Sequence, residues 1–268
     1  MRAMIKLFVT DIDGTLIPAG SAKVPAPNVE AVQAMIRAGV RVAIATGRMY
    51  RAAVPIAEQL GVPVPIIAYN GALIKSSAGD VLSEQYMDEA NVLALINFFA
   101  ERGRHLQSYS DDALYVAERN HYVELYENSQ KVTANVVGWD GLRARIKNVP
   151  KLLSISFDPD ELADSMNAVR NIFGATVEVT RSTPQFAEFM KGGVSKAGAI
   201  KILAEQFNVD NAEILAIGDS ENDLAMITSV GCGVAMGNAV DAVKVACPRV
   251  TDTCENFGFA KAVYDYVL

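Results

Sequence analysis

Short apolar runs alternate with segments of helical spacing in the first 70 residues of the chain. The predicted strands are residues 5–10, 40–45 and 65–69, and the predicted helices between them are residues 28–38 and 50–60. Because strands that alternate with helices pair side by side in the same direction, this pattern predicts a parallel sheet covered by helices.

The same alternation returns after residue 190. The predicted strands are residues 213–218 and 231–235, and the predicted helices are residues 195–207, 221–229, 239–246 and 258–267. We therefore expect the two ends of the chain to build one α/β sheet together.

The middle of the chain has a different pattern. A predicted hairpin turns at residues 77–80, and a predicted helix at residues 88–102 follows it. Beyond it come polar, alternating strands at residues 105–110, 113–117, 152–157, 176–180 and 186–190, with the clearest helix at residues 160–173. This pattern predicts an α+β domain with one open sheet face, inserted at residues 85–189 into a core of residues 1–84 and 190–268.

Composition narrows the class of protein. The 268 residues are 51% hydrophobic and 21% charged, which is typical of a globular protein, and the net charge of −7 gives no general attraction to nucleic acids or anionic membranes. No apolar run approaches the roughly 20 residues of a membrane span, and the first residues do not resemble a signal peptide. Three cysteines without CxxC spacing fit a reduced cytoplasm. We therefore expect a cytoplasmic protein with no nucleic-acid or membrane partner, and the sequence leaves its oligomeric state open.

Polar side chains follow each predicted core strand at the point where the strand ends. In the segment "LFVTDIDGTLI", an apolar strand ends in two aspartates with one residue between them. Carboxylates held about 4–6 Å apart repel each other, which is costly unless a cation or a reaction uses them. The residues at the strand ends are Asp11, Asp13, Gly14 and Thr15, then Thr46, Gly47 and Arg48, then Asn70 and Gly71, and finally Asp219, Asn222 and Asp223. Lys196 lies at the start of the preceding helix. Since ligands of open parallel sheets bind beyond the carboxyl ends of the strands, these residues predict one site.

Each of these features taken alone has an ordinary explanation. Asp-Gly-Thr is common in turns, Asp219 or Ser220 could simply cap a helix, and Asn70-Gly71 is a hairpin signal. A helix lysine such as Lys196 is most often solvated. Their convergence on one sheet edge favours a functional site. Hard oxygen ligands without thiolates suit Mg²⁺, and carboxylates, a divalent ion and a lysine together suit phosphoryl transfer.

The motifs "DIDGTL", "ATGR", "GVSK" and "GDSENDLAM" occur in the order of the four motifs of the haloacid dehalogenase-like hydrolase superfamily. The segments "YNGALI", "RSTPQFAEFMKGGVSKAGAI" and "VAMGNAVDAVKVAC" resemble its Cof-type branch in particular. The likeness covers nearly the whole core and is much weaker over residues 88–181. It implies a Rossmann-like core and an inserted domain that acts as a mobile cap.

The resemblance also implies roles for the residues at the strand ends. Asp11 is the expected nucleophile, Asp13 the acid and base whose carbonyl helps to hold Mg²⁺, and Asp219 a further metal ligand. Asp223, expected four residues along the same helix face from Asp219, is a supporting or additional ligand. The expected phosphate-binding residues are Thr46, Gly47, Lys196 and Asn222, and the candidate substrate contacts are Arg48 and Asn70.

These roles predict a Mg²⁺-dependent phosphatase of small phosphorylated metabolites, with sugar phosphates as the first substrate class to consider. The second aspartate, Asp13, separates phosphatases and phosphomutases from dehalogenases and P-type ATPases, which typically lack an acid there. A phosphosugar mutase on the same core remains an alternative. A non-catalytic phosphate-binding protein is a third, although the intact set of Asp11, Asp13, Lys196 and Asp219 argues against it.

Overall fold

The computed structural model describes residues 4–268, which form two compact units. One unit runs to Ser83 and resumes at Ser195, and the other is Glu84–Val194. The strands are β1 (Leu7–Thr10), β2 (Arg41–Ala45), β3 (Ile66–Ala68), β4 (Leu73–Lys75), β5 (Val81–Glu84), β6 (Gln107–Ser110), β7 (Ala113–Val116), β8 (Ala134–Val136), β9 (Lys151–Ile155), β10 (Val177–Thr180), β11 (Phe186–Lys191), β12 (Ile214–Gly218) and β13 (Cys232–Ala235).

The helices lie between these strands in both units. They are α1 (Ala26–Arg37), α2 (Tyr50–Glu58), α3 (Glu89–Glu101), α4 (His121–Gln130), α5 (Gly138–Arg143), α6 (Pro159–Phe173), α7 (Lys196–Phe207), α8 (Leu224–Ser229), α9 (Asp241–Ala246) and α10 (Gly258–Tyr266). No helix within residues 4–268 is both long enough and apolar enough to cross a membrane.

A seven-stranded sheet organises the first unit, in the order β13-β12-β1-β2-β3-β4-β5. Strand β1 lies inside the sheet, pairs in parallel with β2 and β12, and is buried along its whole length. The strands from β13 to β3 are parallel, whereas β4 pairs antiparallel with β3. The carboxyl ends of β1, β2, β3 and β12 therefore meet at one edge. The predicted α/β class with a parallel core sheet is confirmed.

The second unit has a six-stranded sheet in the order β10-β11-β9-β6-β7-β8. One apolar cluster joins the sheet to its helices, with Leu95 and Phe99 from α3, Met166 from α6, and Leu152 and Phe189 from the strands. The rings of Phe99 and Phe189 lie 5.5 Å apart. Burial of such side chains at roughly 1.5–3 kcal/mol each gives this unit a core of its own.

Two local features differ from the sequence prediction. Residues 221–229, predicted as a single helix, begin with a 3₁₀ turn at Glu221–Asp223 before α8 starts. The cause is Asp223, whose carboxylate accepts hydrogen bonds from the backbone N–H groups of Asp219 and Ser220 instead of facing outwards from a helix. Asp219 itself precedes the turn, so the expectation that Asp219 and Asp223 share one helix face is wrong. The second feature is β8, a three-residue strand that is too short for any alternating pattern to predict.

The sheet of the second unit contains a buried ion pair. The Lys151 ammonium donates to Glu188 Oε1 at 2.7 Å, and the two side chains are only 1% and 2% exposed. Lys151 Nζ also lies 5.2 Å from the centre of the Tyr109 ring. Removing one partner of a buried ion pair leaves an uncompensated charge, whereas removing both does not.

We therefore predict that Lys151→Met lowers the free energy of unfolding by about 3–5 kcal/mol, and that Lys151→Met/Glu188→Leu recovers most of this loss. Urea unfolding followed by circular dichroism would measure both changes. Lys147→Met, at an exposed lysine of the same unit, is the control and should change little. A double variant less stable than Lys151→Met would contradict the prediction.

Candidate active site

The turn after β1 carries two aspartates in different surroundings. Asp11 is buried, whereas the Asp13 side chain is 36% exposed. Gly14 follows with a φ of +80°, and a Cβ atom there would lie 2.6 Å from Asp219 Oδ2. Only glycine therefore allows the turn to pass so close to the loop after β12.

Lys196 is the cation at the centre of this group. Helix α7 begins at Lys196 because the Ser195 hydroxyl caps it, accepting from the Gly198 N–H at 3.1 Å. The buried ammonium donates to Asp11 Oδ1 and to Asp223 Oδ1, both at 2.6 Å. Burial alone would lower the pKa of Lys196, but the two carboxylates outweigh it and raise this pKa above its usual value. The lysine is therefore held as a cation.

Asp223 has both carboxylate oxygens occupied. Oδ1 accepts from Lys196, and Oδ2 accepts from the backbone N–H groups of Asp219 and Ser220 at 2.9 and 3.0 Å. Its side chain is fully buried. Asp223 therefore fixes the Asp219 backbone and the Lys196 ammonium in relation to each other.

Asp219 completes a group of carboxylates. The Thr15 hydroxyl donates to Asp219 Oδ1 at 2.6 Å, and the Ser220 hydroxyl donates to Oδ2 at 3.1 Å. Oxygens of Asp11, Asp219 and Asp223 come within 4.8 Å of one another. Burial is the main cause that raises the pKa of Asp11 well above its usual value, and burial together with the charge of Asp223 raises the pKa of Asp219 to about 7. One lysine does not neutralise the three carboxylates.

The donor set fits a hard divalent cation. All the available ligand atoms are oxygens, which suit Mg²⁺ better than zinc. Within residues 4–268, Asp11 Oδ2 accepts no hydrogen bond, whereas both oxygens of Asp223 are already taken. Asp11 and Asp219 are therefore better placed to bind a metal ion than Asp223.

Arg48 lies against Asp13. Its Nε donates to Asp13 Oδ2 at 2.7 Å and its NH2 group to Oδ1 at 2.5 Å, so that the guanidinium binds both oxygens of the carboxylate. The Arg48 side chain is only 5% exposed. Planar, paired contacts of this kind are among the stronger charged hydrogen bonds in proteins. Arg48, a candidate substrate contact from the sequence, is thus bound to Asp13 in this structure.

The loops after β2 and β3 are joined to each other. The Thr46 hydroxyl accepts from the Arg48 N–H at 3.1 Å, and the Thr46 carbonyl accepts from the Asn70 N–H at 2.9 Å. The Asn222 side-chain amide donates to Asn70 Oδ1 at 2.9 Å, while Asn222 Oδ1 is buried with no hydrogen-bond partner among the described residues. Gly47 lies between Thr46 and Arg48 and is half-buried.

The structure therefore brings the predicted site residues into three connected groups. Asp11, Asp219, Asp223 and Lys196 share one cluster, Asp13 lies with Arg48, and Asn70 lies with Asn222. Sequence reasoning placed Thr15 at the site and considered Ser220 as a helix cap, but it did not predict that their hydroxyls orient the Asp219 carboxylate. The only signal for Thr15 was its place in the motif after β1.

Comparisons with known proteins match almost the whole chain. A family model described as haloacid dehalogenase-like hydrolase matches residues 8–263. A relative from Streptococcus pyogenes is 30% identical over 98% of this chain and 99% of its own. The 5-amino-6-(5-phospho-D-ribitylamino)uracil phosphatase YwtE of Bacillus subtilis is 28% identical over 96% of both chains. The pyridoxal phosphate phosphatase YbhA of Escherichia coli is 26% identical over 98% of this chain and 99% of its own.

Solved structures agree with these sequence matches. A haloacid dehalogenase-like hydrolase from Bacteroides thetaiotaomicron is 28% identical with a TM-score of 0.87, over 97% of this chain and 99% of its own. A sugar phosphatase of subclass IIB in the same superfamily has a TM-score of 0.85 at 24% identity, over 97% of this chain and 98% of its own. The second likeness concerns the fold alone.

The raised pKa of Asp219 gives a prediction for the metal-free protein. A carboxyl group whose pKa is higher in the folded chain binds more protons there, so the free energy of unfolding falls as the pH rises from about 4 to about 7. Asp219→Asn cannot ionise, and its amide can still accept from Thr15. Between about pH 5.5 and about pH 8 in EDTA, this variant should lose less thermal stability than the wild type, by several degrees. Equal losses would contradict the assigned pKa of Asp219.

Proposed function

The chain belongs to the haloacid dehalogenase-like hydrolase family, as its motifs indicated, and we propose that it is a Mg²⁺-dependent phosphatase of small phosphorylated metabolites that works through an aspartyl-phosphate at Asp11. It acts in the cytoplasm, with a catalytic core and an inserted cap domain. The sequence predicted this cap at residues 85–189, whereas the compact unit is Glu84–Val194 and contains the whole of β11. The phosphatase names of its relatives support the reaction class, and the geometry around Lys196 supports the roles of the residues.

The observation that carries this proposal is the bridge from Lys196 to Asp11 and Asp223. A fully buried ammonium 2.6 Å from each carboxylate is expensive to build and contributes little to stability as such. Beside a nucleophilic carboxylate it has a clear use, because it offsets the charge of an incoming phosphoryl group. Asp219 lies nearby, so that Asp11 and Asp219 can each provide an oxygen ligand for a cation.

In the first half of the reaction, an oxygen of Asp11 attacks the phosphorus atom. A bond forms between Asp11 and phosphorus, and the bond from phosphorus to the ester oxygen of the substrate breaks. Asp13 gives its proton to that ester oxygen, which leaves as a neutral alcohol. Lys196, Thr46, Gly47 and Asn222 hold the oxygens of the transferring group.

In the second half, water attacks the phosphorus atom of the aspartyl-phosphate. Asp13, now ionised, takes a proton from this water, the bond between Asp11 and phosphorus breaks, and inorganic phosphate is released. Asp13 therefore acts as the general acid in the first half of the reaction and as the general base in the second. In this structure both oxygens of Asp13 accept from Arg48, so this contact must open before Asp13 can carry a proton and give it to the ester oxygen.

Mg²⁺ is proposed to bind an oxygen of Asp11, the backbone carbonyl of Asp13 and an oxygen of Asp219, where it would neutralise charge on the phosphoryl oxygens. The direction of the Asp13 carbonyl supports this set. Gly14 N–H donates inwards to the Ile17 carbonyl at 2.8 Å. Since the two groups of a trans peptide point in opposite directions, the Asp13 carbonyl points away from the Ile17 carbonyl. Asp223 supports these ligands through Lys196 and the Asp219 backbone.

Sugar phosphates are the first substrate class that we propose to test. The relatives named above act, by their names, on a ribityl-linked phosphate and on pyridoxal phosphate, so the panel should include alkyl and heteroaromatic phosphates. Arg48 and Asn70 are the residues of the core that we propose as contacts to the organic part of the substrate.

A phosphate-release screen with and without Mg²⁺ tests this function. We expect release that stops in EDTA, and a fall of several orders of magnitude in turnover for Lys196→Met, because the cation that offsets the phosphoryl charge is lost. Lys201→Met, at an exposed lysine of the same helix α7, is the matched control and should keep turnover near the wild-type rate. Full activity in EDTA, or an active Lys196→Met protein, would overturn the proposed site.

The role of Asp13 predicts a dependence on the leaving group. General acid catalysis contributes about 10²–10⁴-fold, and a nitrophenolate needs far less of it than a sugar alkoxide. In the first half of the reaction, where Asp11 attacks, Asp13→Asn should therefore lose much more rate on a sugar phosphate than on nitrophenyl phosphate. It should also accumulate phosphoenzyme with nitrophenyl phosphate, because the second half of the reaction lacks its base.

Rapid-quench experiments with labelled substrate would measure both effects of Asp13→Asn. Asp11→Asn is the control in which no phosphoenzyme forms. If the two substrates lost rate equally and no phosphoenzyme were trapped, Asp13 would not be the acid and base.

A further inference from the structure

Three consecutive backbone carbonyls in the turn after β1 accept hydrogen bonds from side chains of three separate segments. Asn238 Nδ2 donates to the Gly14 carbonyl at 2.9 Å, the Cys254 thiol to the Thr15 carbonyl at 3.3 Å, and Asn28 Nδ2 to the Leu16 carbonyl at 2.8 Å. Gly14, Thr15 and Leu16 are all buried, so their carbonyls need hydrogen-bond donors from within the protein. Here each one is held by the protein.

The first two contacts lie on either side of Thr15. The Gly14 carbonyl belongs to the peptide before the Thr15 Cα atom, and the Thr15 carbonyl belongs to the peptide after it. Because each peptide is a rigid plane, holding both planes fixes the two backbone torsions of Thr15 and hence the direction of its Cα–Cβ bond. That side chain donates from its hydroxyl to Asp219 Oδ1 at 2.6 Å.

The two donors are also linked to each other and to Asp219. The Cys254 N–H donates to Asn238 Oδ1 at 2.8 Å. The Asn238 side-chain amide therefore accepts through its oxygen from Cys254 and donates through its nitrogen to the Gly14 carbonyl. The segment around Asn238 is bound to the loop after β12, because the Val240 N–H donates to the Asp219 carbonyl at 2.9 Å. Thr15 and Asp219 are thus held in one network.

The surroundings of Cys254 keep its thiol protonated, so that it can donate a hydrogen bond. Its side chain is 1% exposed, and burial is the main cause that raises the pKa of its thiol to about 12. A thiol in this setting keeps its proton at neutral pH and reacts poorly as a nucleophile. Its contact with the Thr15 carbonyl is therefore a structural one, although a thiol is a weak donor.

We propose that Asn238 and Cys254 are positioning residues that hold the Thr15 backbone so that its hydroxyl orients Asp219 for Mg²⁺. This inference rests on the proposed function, because it needs Asp219 to be a metal ligand. Neither residue touches the reacting atoms. Partners that orient metal ligands typically change metal affinity by about 10–100-fold when they are removed.

The test compares Mg²⁺ affinity across a double-mutant cycle, measured by calorimetry on the intact protein. Cys254→Ala and Thr15→Val should each weaken Mg²⁺ binding by about tenfold or more. If Cys254 acts through Thr15, the double variant should bind Mg²⁺ about as weakly as Thr15→Val alone. Cys254→Ser keeps a donor at this position and should recover most of the lost affinity.

Asn238 gives an independent arm of the same experiment. Asn238→Ala should weaken Mg²⁺ binding and raise the Mg²⁺ concentration needed for half-maximal phosphate release. Gln33→Ala is the matched control, because Gln33 also donates from a side-chain amide to a backbone carbonyl, that of Leu60 at 3.2 Å, in the same unit. It should lower thermal stability slightly without changing Mg²⁺ binding.

The outcomes separate the two proposals. The positioning role would be overturned if the losses of Mg²⁺ affinity from Cys254→Ala and Thr15→Val multiplied in the double variant. It would also be overturned if the variants lost thermal stability while their Mg²⁺ affinity stayed unchanged. A wild-type protein that binds Mg²⁺ but releases phosphate from no substrate would overturn the proposed function alone, and the binding comparison would still decide the role of Asn238 and Cys254.

Discussion

The buried Lys196 ammonium, shared between Asp11 and Asp223, is the contact on which the rest of the site depends. It joins the turn after β1 to the loop after β12, two segments far apart in sequence that carry most of the carboxylates. Two buried like charges at hydrogen-bonding distance from one cation are stable only while that cation is present. The start of helix α7, capped by Ser195, therefore determines where these carboxylates lie.

Much of this arrangement could be predicted from sequence, because a parallel sheet brings the ends of its strands to one edge. Asp11, Asp219, Asp223 and Lys196 lie at strand ends or a helix start that apolar runs reveal, and they do meet. The position of Asp223 was harder to predict. Its spacing from Asp219 fits a helix, but its carboxylate folds back onto two backbone N–H groups, which makes a 3₁₀ turn instead.

Contacts between distant residues were beyond sequence reasoning for a physical reason. Thr15 and Cys254 are 239 positions apart, and no periodicity relates a threonine carbonyl to a thiol at that distance. The pairing of Arg48 with Asp13 was missed similarly, because a strand-end arginine has several partners of opposite charge within reach. The roles proposed for these residues stay predictions until the variants are measured.

The close packing at Gly71 bears on how this fold tolerates change. A Cβ atom at Gly71 would lie 2.4 Å from the Ser195 carbonyl, so the turn after β3 touches the residue at which the chain re-enters the first unit. Residues on the two sides of the insertion, which spans the hundred or so residues between Ser83 and Ser195, thus contact each other directly. Evolution could lengthen, shorten or exchange that insertion while the helix bearing Lys196 stayed anchored, which makes the insertion an interchangeable module.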